Sequence, residues 1–180
     1  MTRSDHPSGT DRVAEVAAAE RASIVVNIQG DEPGIDPEAI DLAILPLVHD
    51  SGVVMSTLKT RIADPREMAD PNVVKVVTNR RGDAIYFSRA AIPFERDAGG
   101  RAACFKHIGL YVYRREFLLS YPALPAGPLE TAERLEQLRA LENGYSIRVV
   151  ETDYDSVGVD TPEDLRRVSR MFEQCAAEGH

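Results

Sequence analysis

Short apolar runs and longer amphipathic segments alternate along the chain. Apolar runs predict strands, and an apolar stripe with helical period predicts a helix. Strands are predicted over residues 24–28, 52–60, 73–78, 84–88, 107–113 and 147–150. Helices are predicted after residue 8, after residue 36, and over residues 114–121, 129–141 and 161–172. This order predicts an α/β fold with a mainly parallel sheet flanked by helices and an inserted antiparallel hairpin.

Local signals mark the ends of several of these elements. Ser8 or Thr10 caps the first predicted helix, and Asp36 caps the second. Thr161 is followed by a proline and acidic residues, which is typical of a helix start. Gly82 lies at the turn of the predicted hairpin.

The predicted helix over residues 129–141 carries its leucines on one side. Glu133, Glu136 and Gln137 share this helix, and its leucines point elsewhere. A solvated surface is the ordinary interpretation of such a polar face.

The run Ile24–Ile28 is followed by the polar residues Gln29, Gly30 and Asp31. A nearly continuous apolar run predicts a strand buried on both faces, as in a parallel sheet. Ligands bind beyond the carboxyl ends of such strands, so Asp31 is a candidate ligand of a phosphate-bound Mg²⁺. An ordinary turn is the alternative. Since no earlier segment supplies a neighbouring strand, either later strands flank this one or an N-terminal piece is missing.

Two further sites could bind a ligand at helix starts. Asp160 precedes a well-marked helix and could share a Mg²⁺ with Asp31; an acid that favours the helix N-terminus is the alternative. The segment 8–12 combines Ser8, Gly9, Thr10 and Arg12, which suits an anion or a nucleobase edge. A simple capped helix start is the alternative there.

Arg89 and His107 lie near strand ends in the middle of the chain. Arg89 ends the second hairpin strand, where its guanidinium could pair with a carboxylate through two hydrogen bonds. His107 begins a strand, and a lone histidine is more often a packed or surface residue than a catalytic one.

Composition narrows the classes of partner. The 180 residues carry a net charge of −8, which argues against binding along a nucleic-acid backbone. No apolar run is long enough to span a membrane. The two cysteines, Cys104 and Cys175, are interpreted as reduced thiols of a cytoplasmic protein.

Several stretches, taken in order, closely resemble the 3-deoxy-D-manno-octulosonate (Kdo) cytidylyltransferases. They are Asp5–Arg12, Asn27–Pro33, Tyr86–Ala90, Lys106–Tyr111, Leu135–Arg139 and Gly158–Asp164. The resemblance implies a nucleotide-diphospho-sugar transferase-like fold and a reaction in which CTP and Kdo give CMP-Kdo and pyrophosphate for lipopolysaccharide synthesis. It also implies a homodimer, with residues 1–180 as one domain and 72–113 as a hairpin and dimerisation excursion.

The resemblance assigns site residues to three groups. Asp31 and Asp160 would bind Mg²⁺ and so assist attack of the anomeric hydroxyl on the α-phosphorus. The residues beside the cytidine would be Ser8, Gly9, Thr10 and Arg12. The residues around Kdo would be Gln29, Arg89, His107, Glu136 and Gln137.

The family begins with a strand and a Gly-, Arg- and Lys-containing loop that grips the triphosphate, and this sequence starts after them. We therefore expect an N-terminally incomplete domain with low activity, because electrostatic stabilisation of the transition state is lost. Exposed sheet edges should also lower its solubility. The alternatives are a cytidylyltransferase for another acid sugar, such as a sialic acid or amino-Kdo, and a non-catalytic dimerising partner.

Overall fold

A computed structural model describes residues 2–3, 5–6, 8–30, 32–96, 103–155, 159, 165–166, 168–170 and 172–173. The named helices are α1 (Gly9–Ala19), α2 (Pro37–His49), α3 (Pro65–Ala69), α4 (Arg115–Ser120), α5 (Pro128–Glu133) and α6 (Gln137–Glu142). The strands are β1 (Ile24–Ile28), β2 (Met55–Arg61), β3 (Lys75–Thr78), β4 (Ala84–Ser88), β5 (Phe105–Arg114) and β6 (Arg148–Glu151). The α/β prediction is confirmed, whereas the start of the helix predicted from Thr161 lies outside the described residues.

The strands form one mixed sheet centred on β5. Its order is β4-β3-β5-β2-β6, and β1 pairs with β5. Of the pairings among the named strands, β2–β6 is parallel and the others are antiparallel. The prediction of a mainly parallel sheet is therefore wrong for the described residues, because an apolar run reports burial and carries no information on strand direction.

The prediction that β1 is buried on both faces is also wrong. Among the described strands, β1 pairs only with β5, in antiparallel register, and its residues are partly buried or exposed. The predicted β3–β4 hairpin is confirmed, and Gly82 in its turn has a φ of 82°. That left-handed conformation favours glycine over residues with a Cβ atom.

The two faces of β5 enter different clusters because strand side chains alternate. Ile108, Leu110 and Val112 pack on α2 in one buried cluster. Tyr111 and Tyr113 belong to the other, which includes residues of α1 and α4.

Two consecutive arginines at the end of β5 hold the helices against the sheet. Arg114 donates to the carbonyl oxygens of Leu47 and Asp50 at the end of α2, at 2.7 and 2.8 Å. Arg115 donates to those of Ala17 and Ala18 at the end of α1, at 2.9 and 3.1 Å. Each guanidinium therefore donates to carbonyl groups at the end of a helix, where intrahelical N–H donors run out.

The prediction of one helix over residues 129–141 is wrong, because two short helices, α5 and α6, occupy this segment. Between α5 and α6, Arg134 adopts a left-handed conformation with a φ of 53°. The two short helices are tied together: Glu142 accepts from the backbone N–H groups of Leu129 and Glu130, both at 3.0 Å. Arg139 also donates to both carboxylate oxygens of Glu130, at 2.8 and 2.5 Å. These contacts across the break stabilise the reversal that a continuous leucine stripe does not reveal.

Within the described ranges, no helix combines the length and the apolar character required to cross a membrane.

Candidate active site

The carboxylate of Glu136 lies at the first turn of α1. It accepts from Thr10 Oγ1 at 2.7 Å, from the Thr10 N–H at 3.4 Å and from the Gly9 N–H at 3.3 Å. The first N–H groups of a helix lack partners within it, and the helix dipole favours a negative charge there. The structure thus brings together a predicted sugar-binding residue and two predicted cytidine-binding residues. Because Glu136 already occupies these amides, the start of α1 suits a nucleobase or ribose better than a phosphate.

The break after α5 places Glu136 in this position. Glu136 precedes α6, and its carbonyl oxygen accepts from Tyr121 Oη at 2.5 Å. Burial raises the pKa of the Tyr121 hydroxyl well above its ordinary value, so the group stays protonated and remains a donor. Glu136 is therefore held through both its main chain and its side chain.

Gln137 presents a buried donor that has no partner among the described residues. Gln137 is 4% exposed, and its Nε2 makes no hydrogen bond to any described group. Leaving a buried amide donor unsatisfied costs free energy. A ligand that offers an acceptor to Nε2 would remove this cost, so the position supports the predicted binding role of Gln137.

An aromatic row lies along one face of β5 towards Glu136. The ring centroids of His107 and Tyr111 are 5.3 Å apart, and those of Tyr111 and Tyr113 are 6.1 Å apart. Tyr113 lies near Thr10, the partner of Glu136. Sequence reasoning missed both tyrosines, although the period-two spacing of residues 107, 109, 111 and 113 places them on one strand face.

His107 is a neutral group in this row. Its Nε2 lies 2.8 Å from Thr57 Oγ1, and its ring is nearly perpendicular to that of Phe87, with centroids 5.1 Å apart. Burial lowers the pKa of His107 to about 3. At neutral pH, His107 can therefore donate or accept a hydrogen bond but supplies no positive charge.

A β-bulge between β2 and β5 lies next to His107. The register between β2 and β5 shifts between Thr57 and Leu58, and the Thr57 hydroxyl donates to the Leu110 carbonyl at 2.7 Å. A Cβ atom added to Gly109 would lie 3.8 Å from the side chain of Gln29. The end of β1 therefore brings Gln29 over Gly109, and bulges of this kind are frequent next to active sites.

The remaining predicted residues differ in how firmly the structure fixes them. Arg89 is held at the end of β4, where Nε donates to the Glu133 carbonyl at 2.8 Å and Nη1 to the Pro71 carbonyl at 2.9 Å. The Ser8 hydroxyl caps α1 by accepting from the Asp11 N–H at 3.2 Å. Arg12 is exposed on α1.

The predicted metal ligands Asp31 and Asp160 both lie outside the described residues. Within the described part of the chain, no three His, Cys, Asp or Glu side chains form a group that could hold a metal ion. Two carboxylates are nevertheless a donor set that suits Mg²⁺, which binds oxygen and commonly shares its ligands with substrate phosphates. The magnesium site stays a prediction.

Comparisons with known proteins place this geometry in a family. A family model described as cytidylyltransferase matches residues 1–149. A 3-deoxy-manno-octulosonate cytidylyltransferase from Solibacter usitatus is 71% identical and covers 99% of this chain, which spans 71% of that protein. One from Pelobacter propionicus is 56% identical over 96% of this chain and 71% of its own length.

A solved structure gives the same result. The structure of a CMP:2-keto-3-deoxy-manno-octonic acid synthetase complexed with CTP matches with a TM-score of 0.91 and 44% identity, over 97% of this chain and 71% of that one. The chain belongs to the cytidylyltransferase family and, within it, to the 3-deoxy-manno-octulosonate cytidylyltransferases. The predicted resemblance, the nucleotidyltransferase activity class and the nucleotide-diphospho-sugar transferase-like fold are confirmed.

Proposed function

We propose that the protein transfers the cytidylyl group of CTP to Kdo, giving CMP-Kdo and pyrophosphate. In this reaction the anomeric oxygen of Kdo bonds to the α-phosphorus of CTP while the bond to pyrophosphate breaks. The observation that carries the proposal is the contact of Glu136 with Gly9 and Thr10, because it joins the predicted nucleotide and sugar residues in one site. The names of the relatives and the CTP complex of the similar structure support it.

Different residues of the chain would bind the cytidine and the sugar. The first turn of α1 would orient the cytidine, with Glu136 holding Thr10 in place. Gln137 Nε2 would donate to a sugar oxygen, since it is a buried donor without a described partner. Arg89 would pair with the sugar carboxylate, because only two of the five N–H donors of its guanidinium are engaged in the described contacts.

We also propose that Asp31 and Asp160 hold a Mg²⁺. When bound, the ion would reduce the repulsion between the anionic substrates and help ionise the sugar hydroxyl. Lipopolysaccharide synthesis in the cytoplasm is the proposed setting.

A homodimer formed through the 72–113 excursion is the proposed assembly. Ile85 on the edge strand β4 is 61% exposed, and Phe94 is 88% exposed. Such exposed apolar groups support an interface in this region. Analytical ultracentrifugation of the protein and of Phe94→Ser tests it: the substitution should shift the protein towards monomer.

The reaction is tested by incubating the protein with CTP, Mg²⁺ and Kdo, and in parallel with a sialic acid and with amino-Kdo. Product is detected as the CMP-sugar by mass spectrometry, which registers low turnover. We expect CMP-Kdo, and we expect Asp31→Ala to abolish it. Asp41→Ala, an exposed carboxylate on α2, is the matched control and should retain activity. Formation of another CMP-sugar in place of CMP-Kdo, or of none, would overturn the proposal.

A further inference from the structure

Glu133 holds Arg89 through both its side chain and its main chain. The Arg89 N–H donates to Glu133 Oε2 at 2.9 Å, and Arg89 Nε donates to the Glu133 carbonyl oxygen at 2.8 Å. One residue of α5 thereby fixes both the backbone and the guanidinium of the residue that follows β4.

The carboxylate of Glu133 is fully engaged with the end of β4. It also accepts from Ser88 Oγ at 2.6 Å and from Tyr86 Oη at 3.3 Å. Burial opposes its ionisation, but the hydrogen bonds from Ser88, the Arg89 N–H and Tyr86 outweigh that effect and hold its pKa below the ordinary value. Glu133 is therefore a charged acceptor at neutral pH.

A buried lysine completes the support of Arg89. Lys75 Nζ donates to the carbonyl oxygens of Arg89 at 2.6 Å, Asp70 at 2.8 Å and Val73 at 2.5 Å. The Pro71 carbonyl, between those last two, accepts from Arg89 Nη1 at 2.9 Å. The guanidinium is thus fixed between two backbone carbonyls, one on α5 and one in the segment that Lys75 holds.

Glu133 also lies at the break that positions Glu136. It is the last residue of α5, Arg134 follows in the left-handed conformation, and Glu136 contacts Thr10. We propose that Glu133 is a positioning residue: it fixes the Arg89 guanidinium towards the sugar carboxylate and sets its place relative to Glu136. The sugar part of this inference rests on the proposed function, whereas the fixing of Arg89 does not.

The first experiment measures the order of Arg89 without any substrate. Arginine Nε–H signals are recorded by ¹⁵N NMR, and the Arg89 signal is assigned by its loss in Arg89→Lys. We expect a sharp signal that exchanges slowly with water in the native protein. Glu133→Ala keeps the carbonyl that accepts from Nε but releases the end of α5 from Ser88 and the Arg89 N–H, so the signal should become broad or fast-exchanging. Glu133→Gln should have an intermediate effect, and the exposed control Glu116→Ala should change nothing. An unchanged signal in a folded Glu133→Ala protein would overturn the inference.

The second experiment measures the dissociation constants of Kdo and CTP separately. Glu133→Ala should weaken Kdo binding by about fivefold, the equivalent of one ordinary hydrogen bond, and leave CTP binding unchanged. In the Arg89→Ala background the same substitution should cause no further loss of Kdo affinity, because its effect passes through Arg89. Equal losses in both backgrounds, or an equal loss for CTP, would contradict the positioning role.

The two experiments separate the inference from the proposed function. If the native protein does not bind Kdo, or if Arg89→Ala leaves Kdo affinity unchanged, the sugar assignment is wrong. The NMR measurement then still decides whether Glu133 fixes Arg89.

Discussion

The two faces of β5 differ in the chemistry of their side chains. On one face, Ile108, Leu110 and Val112 are at most 1% exposed and pack with apolar residues of α2. On the other face, the rings of His107 and Tyr111 are in contact and belong to the aromatic row that extends to the contact of Glu136 with α1. Neighbouring residues of one strand therefore alternate between the apolar cluster on α2 and the face that we propose to bind ligand. Substitutions at even and odd positions should separate stability from ligand binding.

The largest effect is expected on the apolar face. Leu110→Ala should lower the free energy of unfolding by about 3 kcal/mol, because it removes buried methyl groups and leaves a cavity. Urea denaturation measures the loss, and the folded protein should keep its affinity for CTP.

Ile28 is a matched control because it is the cross-strand partner of Leu110 and is 42% exposed. Ile28→Ala should cost less than about 1 kcal/mol. Ile28 lies on the same face of the sheet as Leu110, so similar losses for the two substitutions would contradict burial as the cause of the Leu110→Ala effect.

On the other face, His107 should make stability depend on pH. An unfolded histidine takes up a proton below pH 6.5, whereas folded His107 stays neutral to about pH 3. The unfolded state thus binds more protons between these values, and stability falls as the pH falls through them. The contribution of His107 to the free energy of unfolding should decrease by roughly 2–3 kcal/mol from about pH 7 to about pH 4.

The comparison protein is His107→Gln, which does not titrate and can still hydrogen-bond Thr57. Urea unfolding at both pH values isolates the histidine from the carboxylates that also titrate in acid. Between the higher and the lower pH, the free energy of unfolding of the native protein should fall further than that of the variant. Parallel pH profiles would show that His107 titrates normally.

A smaller effect is expected at the start of α1. Glu136→Gln removes a negative charge from the helix N-terminus while keeping an acceptor for Thr10. The free energy of unfolding should fall by about 1 kcal/mol, and added salt should reduce the difference. The exposed control Glu95→Gln, which lies outside the helices, should cost almost nothing. Equal losses at the two positions would show that the contact with α1 contributes no stability.

The features that the sequence predicted correctly are mostly local. Ser8 and Asp36 cap their helices as expected, and Gly82 forms the hairpin turn. Each of these depends on the chemistry of a few adjacent residues. The ordered motifs also identified the family, because they supply information beyond hydrophobic periodicity.

The features that the sequence missed depend on distant contacts. The break at Arg134 has no local signal, since it is stabilised by pairs such as Arg139 with Glu130. Periodicity therefore extends one helix through Glu136 and places this residue on a solvated face, whereas the family resemblance assigns it to the Kdo site. Its contact with Thr10 joins segments far apart in the chain. The apolar run of β1 likewise could not show its antiparallel pairing with β5.

The smallest effect is expected at Gly109, between His107 and Tyr111 on the face of β5 that we propose to bind ligand. An added Cβ atom would lie 3.8 Å from the Gln29 side chain, which is ordinary van der Waals contact. Gly109→Ala should therefore change the free energy of unfolding by less than about 1 kcal/mol, with reduced freedom of the unfolded chain offsetting any strain. If Gln29 must move over Gly109 to reach Kdo, the same variant should bind Kdo more weakly and CTP as before. Calorimetry with each ligand decides this: a loss of stability without a loss of Kdo affinity would place Gly109 with the stabilising residues of β5.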